Sequence, residues 1–171
     1  MNRITYRRFQ SFMLLVTILV MGFSFYIEFA NQLQPCPLCF MQRATAFLFG
    51  FFCLFGLLAA TLKRAKVIST IQCILTLLGV YFSARQLWLQ SQPVDLNTQC
   101  VPGLEAMLHL FSWDAIAKSF LWGTTDCARI DWRWFGMSIP LWSGMYFTGM
   151  VVFSTYVYTK VARALRDLDK F

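Results

Sequence analysis

The stretch Phe40–Leu62, FMQRATAFLFGFFCLFGLLAATL, runs for 23 residues with a single charged side chain, Arg43, near its start. About 20 apolar residues cross the hydrocarbon core of a bilayer as a helix. Backbone in lipid must satisfy its own hydrogen bonds, which restricts it to helices or a closed barrel. The run is continuous rather than alternating, so a barrel strand is disfavoured. Three further stretches have the same character: Phe12–Ala30, Val67–Leu89 and Ile139–Thr159, of 19, 23 and 21 residues. The four fill about half of the 171 residues. The expected fold is therefore an all-α membrane protein, one integral domain over 1–171, built as a four-transmembrane-helix bundle.

Composition agrees. Apolar residues make up 58% and charged residues 13%, about half the charged share of a soluble domain. That excludes a disordered chain and an ordinary soluble globule. The net charge of +7 does not imply a nucleic-acid partner, because the charges fall in small clusters between apolar runs. The first apolar stretch follows Arg3, Arg7 and Arg8 like a secretion signal. It is longer than a signal core and no convincing small-x-small site follows it, so it reads as a retained helix.

The clusters orient the bundle. Arg3, Arg7 and Arg8 precede the first span, and Lys63, Arg64 and Lys66 separate the second from the third. Lys160, Arg163, Arg166 and Lys170 follow the fourth. With an even number of spans all three clusters share one side, and the positive-inside rule makes that side the cytoplasm. Connections 31–39 and 90–138 then face outward. In the longer one Leu104, Met107, Leu108, Phe111, Trp113 and Ile116 recur at near-helical spacing, with Glu105, Asp114 and Lys118 between them. This pattern fits a short amphipathic helix on the outer membrane surface, or a loop packing its apolar residues on the bundle.

Cysteine placement carries the function. Cys53 and Cys73 lie inside spans and read as packing residues. Cys36, Cys39, Cys100 and Cys127 all fall in outward connections, where disulfides persist. Cys36-Pro37-Leu38-Cys39 is a CxxC motif at the start of a span. Free N–H groups at a helix N-terminus favour a thiolate, so Cys39 is the better stabilised sulfur. Arg43 lies one turn further on the same face. Arg43 and Arg85 fit a polar pocket near the outer boundary or a snorkelling role, and Glu28 is placed to neutralise one of them. Cys100 and Cys127 fit a disulfide closing the outer loop, as a staple or as part of a relay. A zinc site from all four is disfavoured, because the second pair lacks the usual ligand spacing. His109, the only histidine, falls in the surface segment and reads as interfacial.

Gln34-Pro35-Cys36-Pro37-Leu38-Cys39-Phe40-Met41-Gln42-Arg43 resembles the first active-site segment of the disulfide bond formation protein B (DsbB) family, bacterial inner-membrane thiol oxidases. Cys100-Val101-Pro102-Gly103-Leu104-Glu105 and Asp126-Cys127-Ala128-Arg129-Ile130-Asp131-Trp132 resemble the second. Arg85-Gln86-Leu87-Trp88-Leu89-Gln90 and Phe135-Gly136-Met137-Ser138-Ile139-Pro140-Leu141-Trp142 resemble the end of the third span and the start of the fourth. The resemblance implies a four-helix bundle whose long periplasmic loop carries the second cysteine pair. It implies reoxidation of a periplasmic thioredoxin-fold DsbA-type oxidase, with electrons passed to a quinone, ubiquinone or menaquinone. In that scheme Cys100 takes the partner's attack, Cys127 is its disulfide partner, and Cys36 and Cys39 pass the electrons on. Arg43 would hold the quinone, with Ile139 and Trp142 lining its pocket. Two other readings compete: a vitamin K epoxide reductase-like enzyme, whose quinone-facing CxxC sits at the last span, and a tetraspan scaffold with structural cysteines.

Overall fold

The computed structural model describes residues 3–32, 36–59, 61–92, 113–128 and 132–168. Four long helices dominate: α1 (Arg3–Asn31), α2 (Pro37–Leu58), α3 (Leu62–Ser91) and α5 (Ile139–Leu168). Between α3 and α5 lie a short helix α4 (Trp113–Trp122) and a 3-10 turn (Thr125–Ala128). A two-residue hairpin follows, β1 (Arg133–Trp134) with β2 (Met137–Ser138), pairing Arg133 with Ser138 and Trp134 with Met137.

The long helices outrun the apolar stretches that mark them. Hydropathy reports what faces lipid, whereas the hydrogen-bond ladder continues until a cap or a breaker stops it. Thr61 caps α3 by accepting from the Arg64 N–H at 3.4 Å, so the basic cluster Lys63, Arg64 and Lys66 rides on the first turns of that helix. In the same way α5 carries Lys160, Arg163 and Arg166 on helical backbone. Among the described residues α1, α2 and α3 are long and apolar enough to cross a membrane. Helix α5 is as long as α3, 30 residues, but Trp142, Ser143, Tyr146 and Thr148 dilute its apolar run.

The radial distribution of side chains marks a protein built for lipid. Phe47 and Leu58 are 68% and 72% exposed, and Leu15, Ile18, Leu19 and Leu77 also face outward. The interior instead buries Gln10, Gln72, Thr76, Ser69 and Ser154 completely. Lipid gives apolar side chains no reason to turn inward, so small and polar residues take the helix interfaces. On α3 they form one stripe, Ala65, Ser69, Gln72, Thr76, Gly79, Ser83 and Gln86, at alternating spacings of four and three residues.

Helix α3 is the hub, packing against α2 on one side and α5 on the other, while α1 lies mainly on α2. At the α3–α5 crossing a Cβ added to Gly79 would sit 2.2 Å from the Phe147 ring. Only glycine leaves room for that buried ring. Gln10 of α1 and Gln72 of α3 exchange two hydrogen bonds, at 3.1 and 2.8 Å, tying those helices together. Gln72 also donates to Cys53, which is fully buried, as expected of a packing cysteine.

Of the expected surface helix, residues 104–111 lie outside the described residues. The described part, α4, begins at Trp113, which is 84% exposed, and carries an exposed Asp114–Lys118 ion pair at 2.8 Å.

Candidate functional site

The site is assembled where α2 begins. Cys36 is the N-cap residue, with extended backbone, and its sulfur accepts from the Cys39 N–H at 3.4 Å. Pro37 takes the first helical position, where a missing N–H costs nothing. This cap folds the CxxC into one turn and brings the Cys36 and Cys39 sulfurs to 3.1 Å. From α3, the Gln86 side-chain amide donates to Cys39 Sγ at 3.1 Å and to Cys36 Sγ at 3.4 Å. Gln42 on α2 donates to Gln86 Oε1 at 2.7 Å, and Ser143 on α5 donates to Gln42 Oε1 at 2.6 Å.

The third described cysteine of the site arrives from the other end of the chain. Gly123 ends α4 in the left-handed region, φ +81°, with its N–H bonded to Ser119 O at 3.0 Å. A Cβ there would lie 2.6 Å from Leu38 and 2.7 Å from Leu89, so the chain turns tightly over the start of α2. The 3-10 turn that follows buries Cys127 against Leu38 and Phe82, with Cys36, Met41 and Leu89 packed around it. Cys36 thus packs against the cluster that holds Cys127. Cys36 holds its proton between Cys127 and Cys39, and these two contacts with burial push its thiol up. The same hydrogen bond from Cys36, with backbone donors nearby, brings the Cys127 thiol down to about 6.

Both CxxC sulfurs open into a cavity of about 630 Å³ bounded by α1, α2, α3, the hairpin and α5. Arg43, Ser24 and Glu28 form its polar end, and Trp134, Trp142, Tyr146 and Phe147 much of its aromatic wall. Arg43 pairs with Glu28, donates to Ser24 Oγ at 3.1 Å and lies 5.1 Å from the Phe25 ring centroid. Trp142 Nε1 is buried with no hydrogen-bond partner among the described residues.

The structure brings some of the residues named from sequence together and leaves others apart. Cys36, Cys39 and Cys127 come together, Arg43 lines the cavity beside Cys39, and so do Ile139 and Trp142. Glu28 neutralises Arg43, which settles the pairing. Arg85 does not join the pocket. It stacks on Trp88 at 4.3 Å and donates to Trp122 O at 3.1 Å, because one residue on a helix is a 100° turn and Gln86 holds the inward face. Cys100 and His109 lie outside the described residues. Gln42, Gln86 and Ser143 escaped the sequence reading. Their signal was an amide beside each arginine, Gln42–Arg43 and Arg85–Gln86.

A bundle of lipid-facing helices with a dithiol at a helix start, a third cysteine against it and an aromatic cavity defines a membrane thiol oxidoreductase. The family described as disulfide bond formation protein DsbB matches residues 6–157. Disulfide bond formation protein B of Hahella chejuensis is 37% identical over 149 residues, covering 84% of this chain and 88% of its own. The protein of that name from Stutzerimonas stutzeri is 37% identical over 135 residues, covering 78% and 83%. Disulfide bond formation protein B 1 of Pseudomonas aeruginosa is 35% identical over 149 residues, covering 86% and 91%. No solved structure gives a significant match. The chain belongs to the DsbB family, inner-membrane enzymes of disulfide bond formation that work with quinones. The vitamin K epoxide reductase-like and scaffold readings are thereby set aside.

Proposed function

We propose that this chain is a four-span disulfide:quinone oxidoreductase that reoxidises a periplasmic, thioredoxin-fold DsbA-type oxidase. The spans are about 12–30, 40–62, 67–89 and 139–159, with both termini cytoplasmic and the loops 31–39 and 90–138 periplasmic. The basic clusters support that orientation. One observation carries the reading: Cys36 packs against the cluster that holds Cys127 and faces Cys39 at 3.1 Å at the cavity.

Cys100 and Cys127 form the disulfide that meets the partner. A partner thiolate attacks Cys100, forms a mixed disulfide and releases Cys127 as the leaving group. The partner's second thiol then attacks its own half of the mixed disulfide, so the partner leaves oxidised and Cys100 and Cys127 stay reduced. Cys127 next attacks Cys36 of the Cys36–Cys39 disulfide across their contact and expels Cys39 as a thiolate. Cys100 attacks Cys127 in turn, which restores the outer disulfide and leaves Cys36 and Cys39 as a dithiol. One electron pair and two protons have moved from the partner to that dithiol.

The cavity fits a quinone head. Its walls are aromatic, and Arg43 and Ser24 offer donors to ring oxygens. A bound quinone supplies a two-electron, two-proton acceptor, and Cys39, which lines the cavity with Cys36, would be the sulfur that meets it. Cys36→Ser or Cys39→Ser should abolish quinone reduction by the reduced partner, and full activity in either overturns the mechanism. A reduced partner variant that lacks its second thiol cannot resolve the mixed disulfide and should be trapped on Cys100 of the native chain, and the absence of any adduct removes Cys100 from its role.

A further inference from the structure

The site's hydrogen bonds run in one direction across three helices. Ser143 of α5 donates to Gln42 Oε1 at 2.6 Å, which leaves the Gln42 amide nitrogen to donate to Gln86 Oε1 at 2.7 Å. That in turn fixes the Gln86 nitrogen toward the sulfurs, 3.1 Å from Cys39 and 3.4 Å from Cys36. Ser83 of α3 lies 3.2 Å from Ser143 and supports its position. We propose that Gln86 is a positioning residue of the redox dithiol, oriented by Gln42 and Ser143, and that this relay makes the CxxC disulfide easier to reduce.

Gln42 and Gln86 are 6% and 3% exposed, and buried amides are costly unless every polar atom is used. The amide dipoles align, so each bond polarises the next and the negative end of the chain is a sulfur. A thiolate accepts such a bond far better than a disulfide sulfur does. The relay therefore stabilises the reduced pair over the oxidised one, the direction that makes a dithiol couple more oxidising. Interhelical glutamine bonds also hold helices together. That role alone would leave the redox equilibrium of the CxxC unchanged.

The inference rests on Cys36 and Cys39 being the reactive pair, and its test needs neither partner nor quinone. The full chain, with Cys100→Ala and Cys127→Ala to isolate the pair, is equilibrated in detergent with a thiol–disulfide buffer. Gln86→Met keeps length and removes the donor. It should shift the equilibrium about tenfold toward the disulfide, about 30 mV for a two-electron couple. Gln42→Met and Ser143→Ala should shift it less, in the same direction. In the chain with all its native cysteines Gln86→Met should lower kcat for quinone reduction and leave KM for the reduced partner unchanged. An unchanged equilibrium in a folded Gln86→Met overturns the proposal. Should that variant fail to fold, an unchanged equilibrium in both Gln42→Met and Ser143→Ala overturns it equally.

Discussion

Glu28 of α1 and Arg43 of α2 form an ion pair at the polar end of the cavity that the Cys36 and Cys39 sulfurs open into. About a fifth of each side chain is exposed, so the pair is largely removed from water. Losing one partner strands the other charge, and a stranded buried charge costs more than the pair was worth.

Glu28→Gln and Arg43→Met should each lower the thermal stability of the detergent-solubilised protein, by up to about 3 kcal/mol, the low end for a buried pair. The double variant should recover most of that loss. Quinone reduction should separate the two residues: Glu28→Gln retains turnover, whereas Arg43→Met and the double variant raise KM for quinone. Equal KM in Arg43→Met and the native protein would remove Arg43 from the quinone site.

Cys127 should react as a thiolate near neutral pH. Its thiol is brought down to about 6, chiefly by the hydrogen bond from Cys36. A lowered thiol is deprotonated above that value and protonated below it. Site-resolved alkylation of Cys127 in the reduced protein should therefore climb through pH 6 and level off by pH 8. Cys36→Ala removes the main donor and should move the climb upward. An identical profile in both proteins would contradict the contact.

The short turn at Gly123 should control whether Cys127 reaches Cys36. Gly123→Ala places a methyl 2.6 Å from Leu38 and imposes a left-handed φ on a residue with a Cβ. The segment must lift, so the oxidative Cys36–Cys127 cross-link yield in a variant lacking Cys39 and Cys100 should fall several-fold. The long helices should melt as before, because the 3-10 turn is not part of them.

Two turns from Gln86 on the same face of α3, Gly79→Ala should destabilise the bundle by about 1–3 kcal/mol, the usual cost of overpacking. The added methyl meets the Phe147 ring, and Phe147→Leu should return part of the loss by vacating that space. Thermal melts of the two single variants and the double variant decide it.

Sequence and structure part company in instructive places. The apolar runs announce the helices because lipid demands about 20 apolar residues, and the CxxC announces the site because its two thiols share one turn. The inward faces were harder to see. Apolar periodicity is the usual signal for a core, but here lipid takes the apolar faces and the interior stripe of α3 is Ser69, Gln72, Thr76, Gly79, Ser83 and Gln86. Read for small and polar residues, that stripe selects Gln86 over Arg85 for the cavity. The approach of Cys127 to Cys36 depends on a loop path set by Gly123, which spacing along the chain does not encode. The hairpin at 133–138 is too short for an alternation signal.

The most direct test follows quinone absorbance while purified enzyme is mixed with a reduced DsbA-type partner and a ubiquinone or menaquinone analogue. One quinone should be reduced per partner dithiol oxidised, with no turnover in Cys36→Ser or Cys39→Ser. Partner oxidation without quinone reduction, or sustained turnover in either cysteine variant, would contradict the assignment.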